Sequence, residues 1–121
     1  VKENPVIVKH YTSVEATEVE QGAQGVKIRW VINKEDGAEN FAMRHFEVAP
    51  GGHTPHHEHS WEHEVFILSG TGIVVSADGD KPLTAGTVVF VPGGEEHHFE
   101  NTGEEALAML CLVPFLDQGC C

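Results

Sequence analysis

Residues 51–70 read GGHTPHHEHSWEHEVFILSG, and five of the nine histidines stand there. Imidazole is a common transition-metal ligand and binds through a neutral ring nitrogen. Histidines crowded beside a short apolar run are therefore the raw material of one coordination site. A solvated loop is the plain alternative, and composition alone does not separate the two. His53 and His56 lie in a Gly- and Pro-containing loop and read as rim residues, whereas His10 and His45 read as ordinary surface or core histidines. Arg44 also has chemistry to offer. As the cation of the alternating run MRHFEV it either faces an interior pocket, holding a substrate carboxylate or enolate, or forms a surface salt bridge.

The elements that must position these side chains are strands. Apolar residues come in short alternating or continuous runs cut by glycine, proline and acidic turns, with little helical periodicity. The pattern predicts strands at residues 6–10, 26–33, 41–48, 64–68, 73–76, 81–83, 87–91, 97–101 and 106–113. The segment 13–25 holds a helical turn at most. The acidic turn 34–40, centred on Asp36 and Gly37, joins its flanking strands as a hairpin. Pro50, Gly51 and Gly52 break the chain ahead of the histidines. Strands at such spacing, almost without helix, predict an all-β sandwich or barrel. A chain of 121 residues fits a single domain spanning 1–121.

Lys plus Arg is 7 against Asp plus Glu at 19, a net charge of −12. That balance excludes a nucleic-acid backbone and an anionic membrane surface as natural partners. Three cysteines, Cys111, Cys120 and Cys121, form no disulfide framework, which favours a reducing cytoplasm. Cys111 reads as a small buried hydrophobe, and the terminal pair is assigned no role. No basic segment leads into a long apolar stretch, and no run approaches the roughly 18 apolar residues of a membrane span. The expectation is a soluble, unprocessed cytoplasmic protein.

Gly86 is followed after five residues by Pro92, after one more by Gly94, after two by His97 and after three by Asn101. This resembles the second motif of the cupin superfamily at every position. The family's first motif runs glycine, five residues, His, one residue, His, three or four residues, Glu, six residues, Gly, and Gly51, His57 and His59 match it. The motifs cover residues 51–70 and 86–101, and the resemblance implies a double-stranded β-helix, the jelly-roll barrel. The departure lies at the glutamate. Four residues after His59 comes Glu64, but the glycine position then falls on Thr71; three residues after His59 comes His63, and the glycine falls on Gly70. A hairpin turn fixes register, and a slip of one residue sends every side chain to the opposite face. The register that keeps Gly70 is therefore preferred, with Glu64 as the alternative third ligand. In it His63, Val65 and Ile67 point one way and Glu62, Glu64, Phe66 and Leu68 the other.

The ligand set so implied is His57, His59, His63 and His97, similar to the four-histidine cupin subgroup with a WEHE segment, which holds one divalent ion inside the barrel. Without a carboxylate the ion keeps its full positive charge. Four imidazoles suit zinc, copper, iron or nickel, and the resemblance adds manganese. His98 should face away from His97; Phe46, Met109 and Cys111 are pocket lining or core. The leading functional expectation is a metal-dependent, dioxygenase-like oxidoreductase acting on a small anionic or aromatic molecule by oxidative C–C or C=C cleavage. A non-catalytic binding module for a small anion or sugar derivative is the alternative, as is isomerase or decarboxylase chemistry using an inward Glu62 or Glu64. The resemblance also implies a homodimer, with residues 6–9 contributing.

Overall fold

The structure, a computed structural model, describes residues 5–115. Nine strands run in chain order as β1 (Thr17–Val19), β2 (Gln24–Ile32), β3 (Phe41–His53), β4 (His63–Ser69), β5 (Gly72–Ser76), β6 (Gly79–Leu83), β7 (Val88–Val91), β8 (His97–Asn101) and β9 (Leu107–Pro114). All pairings are antiparallel, along the path β6-β5-β8-β3-β9-β4-β7, with β2 on the other edge of β3 and β1 outside β2. The long β3 is the hinge of the architecture. Its first part pairs with β9 and its last residue, His53, with β8, so one strand serves both halves of the curled sheet. The result is the jelly-roll β-barrel expected from the strand pattern.

Alternation along the strands builds the interior. Trp30, Arg44, Cys111 and Val65 are successive cross-strand partners in one inward row, and Ile28, Phe46, Met109 and Ile67 form the next. Val26, Val48 and Leu107 close the core below them. Burying each large aliphatic or aromatic side chain contributes on the order of 2 kcal/mol, so these rows carry most of the fold's stability.

Three expectations about elements are corrected. Residues 6–10 form no strand: Val6 and Val8 are exposed at 83% and 89%, and a 3-10 turn at Tyr11–Ser13 follows. Side chains attach this region, through a Lys9 Nζ to Asp36 Oδ1 ion pair of 3.0 Å and stacking of Tyr11 on His45 at 4.4 Å. Within 13–25 lies β1, because β-branched Thr17 and Val19 pair opposite Ile28 and Val26. Finally, Pro50, Gly51 and Gly52 bend β3 without ending it. Register slips between Gln24 and Val26 absorb the extra residues, and a Cβ on Gly52 would stand 2.4 Å from the Gln24 carbonyl oxygen.

Candidate metal centre

The loop after β3 is tied to β8 by backbone hydrogen bonds, and that tie brings the two histidine stretches together. Thr54 N donates to Phe99 O at 2.9 Å, His57 N to His97 O at 3.2 Å, His97 N to His57 O at 3.1 Å and Gly94 N to His59 O at 2.6 Å. Phe99 N also donates to the buried Thr54 hydroxyl at 2.9 Å. A two-way bridge thus sets His57 beside His97 although forty residues separate them. β4 brings His63 from the opposite wall, its burial alternating so that His63, Val65 and Ile67 are inside and Glu64 and Phe66 outside.

Four imidazoles converge there. Ring centroids are 4.7 Å apart for His57 and His59, 4.5 Å for His59 and His63, 5.7 Å for His59 and His97 and 5.5 Å for His63 and His97. His57 Nε2 lies 3.2 Å from His59 Nε2, and His63 Nε2 lies 3.0 Å from His59 Nδ1. Two nitrogens each about 2.1 Å from one ion, at right angles, stand about 3 Å apart, so these separations suit ligands sharing an ion. His59 nonetheless turns a different nitrogen to each neighbour, and among the described residues no group of three or more His, Cys, Asp or Glu has the arrangement of a finished metal site. In donor type the four suit one ion, but their rings as placed do not form a ligand set, and His59 would have to turn to complete one.

The surroundings of His63 and His97 favour the neutral ring, the state a ligand requires. The pKa of His63 is pushed down to about 2, by burial first, then by the Arg44 guanidinium and the imidazoles of His59, His97 and His57. Burial likewise lowers that of His97, opposed by its Nδ1 contact to the Glu95 carbonyl at 2.9 Å.

Arg44 is fully buried and forms no surface salt bridge. Its Nη2 lies 3.2 Å from His63 Nδ1 and donates to Cys111 Sγ at 2.9 Å, while the Trp30 and Phe46 rings lie 5.3 and 5.1 Å from its guanidinium carbon. Nε and Nη1 have no hydrogen-bond partner among the described residues. Cys111 is buried, as its place in the apolar run implied, but it also stands 3.1 Å from His63 Nδ1. That polar role was invisible in the sequence; the only available signal was the inward alternation that Arg44 and Cys111 share.

A cavity of about 700 Å³ opens over His57 and His59, walled by Trp30 and Trp61 with Glu18, Glu20 and Glu58 at its rim. Trp61 stacks on His59 at 4.6 Å and 12°. Glu62 and Glu64 are exposed and line a different groove, so neither stands as the inward proton donor considered for them. His98, as alternation requires, faces away from His97, pairing with Glu100 at 2.6 Å and with His56, which in turn reaches Glu96 at 3.3 Å. His10 caps the 3-10 turn, and His45 is buried under Tyr11. Cys120 and Cys121 lie outside the described residues.

The model of the Cupin domain matches residues 44–113. The oxalate-binding protein of Thermotoga maritima is 34% identical over 101 residues, covering 79% of this chain and 82% of that protein. The 1-methylthio-D-xylulose 5-phosphate methylsulfurylase of Rhodospirillum rubrum is 37% identical over 71 residues; the match takes in 59% of this chain and only 46% of that protein. Among solved structures, the polyketide cyclase RemF of Streptomyces resistomycificus superposes with a TM-score of 0.85 at 34% identity, covering 91% of this chain and 80% of that one.

Proposed function

The chain belongs to the cupin family, and we propose that it is a metal-dependent enzyme whose single divalent ion, held by His57, His59, His63 and His97, takes a small chelating organic substrate. The observation that carries this reading is the convergence of four imidazoles, two of which, His57 and His59, line a tryptophan-walled cavity. Manganese, iron, nickel, zinc and copper all suit imidazole donors to differing degrees. When bound, the ion supplies Lewis acidity and open positions for substrate or dioxygen.

The protein's own groups prepare the ligands. While Arg44 Nη2 donates to His63 Nδ1, the ring carries its proton on Nε2, facing His59. Were Nε2 to serve as a ligand, the ring proton would sit on Nδ1 and donate to Cys111 Sγ at 3.1 Å, and Arg44 Nη2 would have to turn from Nδ1 and donate to Cys111 alone. Trp61 holds the plane of His59 by stacking, and Trp30 and Trp61 flank whatever enters. Dioxygenase-like oxidation is the leading reaction.

A second reading is favoured by the relatives, whose names describe a cyclase, an oxalate-binding protein and a methylsulfurylase. In it the ion binds or isomerises its ligand without oxidation. Purified protein loaded with each metal separates the two: oxygen uptake with diketones, aromatic alkenes or thiols, lost in His63→Ala, supports oxidation. Metal-dependent binding or conversion without uptake supports the second reading, and failure of every metal to bind removes both.

The homodimer is proposed on a different surface. Phe66, Val88 and Phe90 lie exposed on neighbouring β4 and β7, continuous with Leu110 and Leu112, and Glu64 is the single charged residue of that groove. On a chain of net charge −12 this is a face that a second copy can approach without strong repulsion.

A further inference from the structure

The charge around the cavity is opposite to what a small anion needs. Glu18, Glu20 and Glu58 stand on its rim, and among the described residues no lysine or arginine lines it. A neighbouring groove adds Glu95 and Glu96 to the same approach, sharing Glu58. Arg44, for which holding a substrate carboxylate was one of two readings, is fully buried behind the ring of Trp30 and is spent on His63 and Cys111. An anion entering here meets carboxylates before it reaches the proposed ion, and among the described residues no guanidinium lines the way. Two features of the wall favour another kind of molecule: Trp61, already stacked on the ring of His59, and Trp30, which lines the same cavity, offer flat apolar surfaces.

We propose that this site selects an uncharged planar substrate, an aromatic or enolisable carbonyl compound lying between Trp30 and Trp61, and discriminates against small dianions such as oxalate or sugar phosphates. The proposal deepens the metal-dependent reading above and rests on it for the chemistry at the ion, but the charge selection belongs to the rim. Glu18, Glu20 and Glu58 are its specificity-determining residues. They act by long-range repulsion, which is screened within about 8 Å at physiological salt, so the discrimination weakens as salt rises.

The chain has two tryptophans, Trp30 and Trp61, so intrinsic fluorescence reports this cavity directly. In metal-free protein, quenching by iodide is expected to be weak relative to acrylamide. The Glu18→Gln/Glu20→Gln/Glu58→Gln variant should raise the iodide-to-acrylamide quenching ratio about threefold. With zinc loaded, calorimetry of oxalate and of benzoylacetone should show oxalate binding roughly tenfold tighter in the triple variant at low salt. That gain should disappear at high salt, with benzoylacetone within twofold of wild type. Unchanged iodide quenching, or an oxalate affinity indifferent to the three glutamates, overturns the proposal. Failure of zinc to bind counts instead against the metal centre, and the quenching arm still decides the selectivity.

Discussion

His63, His97 and His45 are all buried, and burial is the first cause holding each pKa below the usual 6.5. The unfolded chain takes up protons on these rings as pH falls through 6.5, while the folded chain does not. Stability is therefore full above that value and declines below it, by no more than about 1.4 kcal/mol per histidine for each pH unit. Urea unfolding of metal-free protein at pH 7.5 and 5.5 should show the midpoint falling on acidification; an unchanged midpoint would mean that the histidines are solvated. Metal affinity falls over the same interval, because protons compete for the ligand nitrogens. Arg44 supports a second expectation. A buried guanidinium whose Nε and Nη1 have no hydrogen-bond partner among the described residues has given up hydration without full return. Arg44→Met should leave the thermal midpoint equal or higher, and it should raise the His63 pKa, read by NMR, since the guanidinium is the second cause of its depression.

At the scale of elements, the turn between β4 and β5 decides which face His63 occupies. Gly70 has a φ of 89°, and a Cβ there would lie 2.5 Å from the Ala106 carbonyl oxygen and 2.8 Å from Leu107 Cα. Backbone cannot yield to that contact as a flexible side chain could. Gly70→Ala should cost about 2–4 kcal/mol in chemical unfolding. Gly51, with φ of 78° but open space around it, should cost only about 1 kcal/mol on the same change. Equal costs at the two positions would show that close packing at Gly70 is not what holds the turn. Asn101 plays a comparable part on β8. Its buried amide donates to Val48 O and Glu105 O at 2.8 Å each and accepts from Gly103 N at 2.8 Å, so the motif asparagine is a strand-end clamp.

For the whole molecule, the exposed outer face of β4 and β7 and the −12 charge pull in opposite directions. Apolar association is nearly indifferent to salt, whereas like-charge repulsion is screened by it. The expected dimer should therefore tighten as salt rises, and Phe66→Asp/Phe90→Asp should yield monomers. Light scattering across a salt series measures both; a monomer at every salt concentration would leave this face without a second copy. Among the described residues no helix is long and apolar enough to cross a membrane.

Most strands were legible because β-branched and aromatic runs bounded by turn residues need no tertiary information. The resemblance to the cupin motifs and the placing of Gly70 likewise pointed His63 inward and Glu64 outward, since side chains alternate with a period of two. Other features depended on partners distant in the chain. Residues 6–10 have strand-like composition but no ladder partner among the described residues, and β1 exists because β2 lies beside it. Arg44 could be placed on an inward or outward face only once Cys111 and Trp30 stood across from it. The acidic rim is likewise a product of folding: Glu18, Glu20 and Glu58 are scattered among nineteen acids in the sequence, and only the closure of the barrel sets them around one opening. Local pattern determines which residues form strands and which face they present, but burial, charge and access are sums over neighbours that only the tertiary structure assembles.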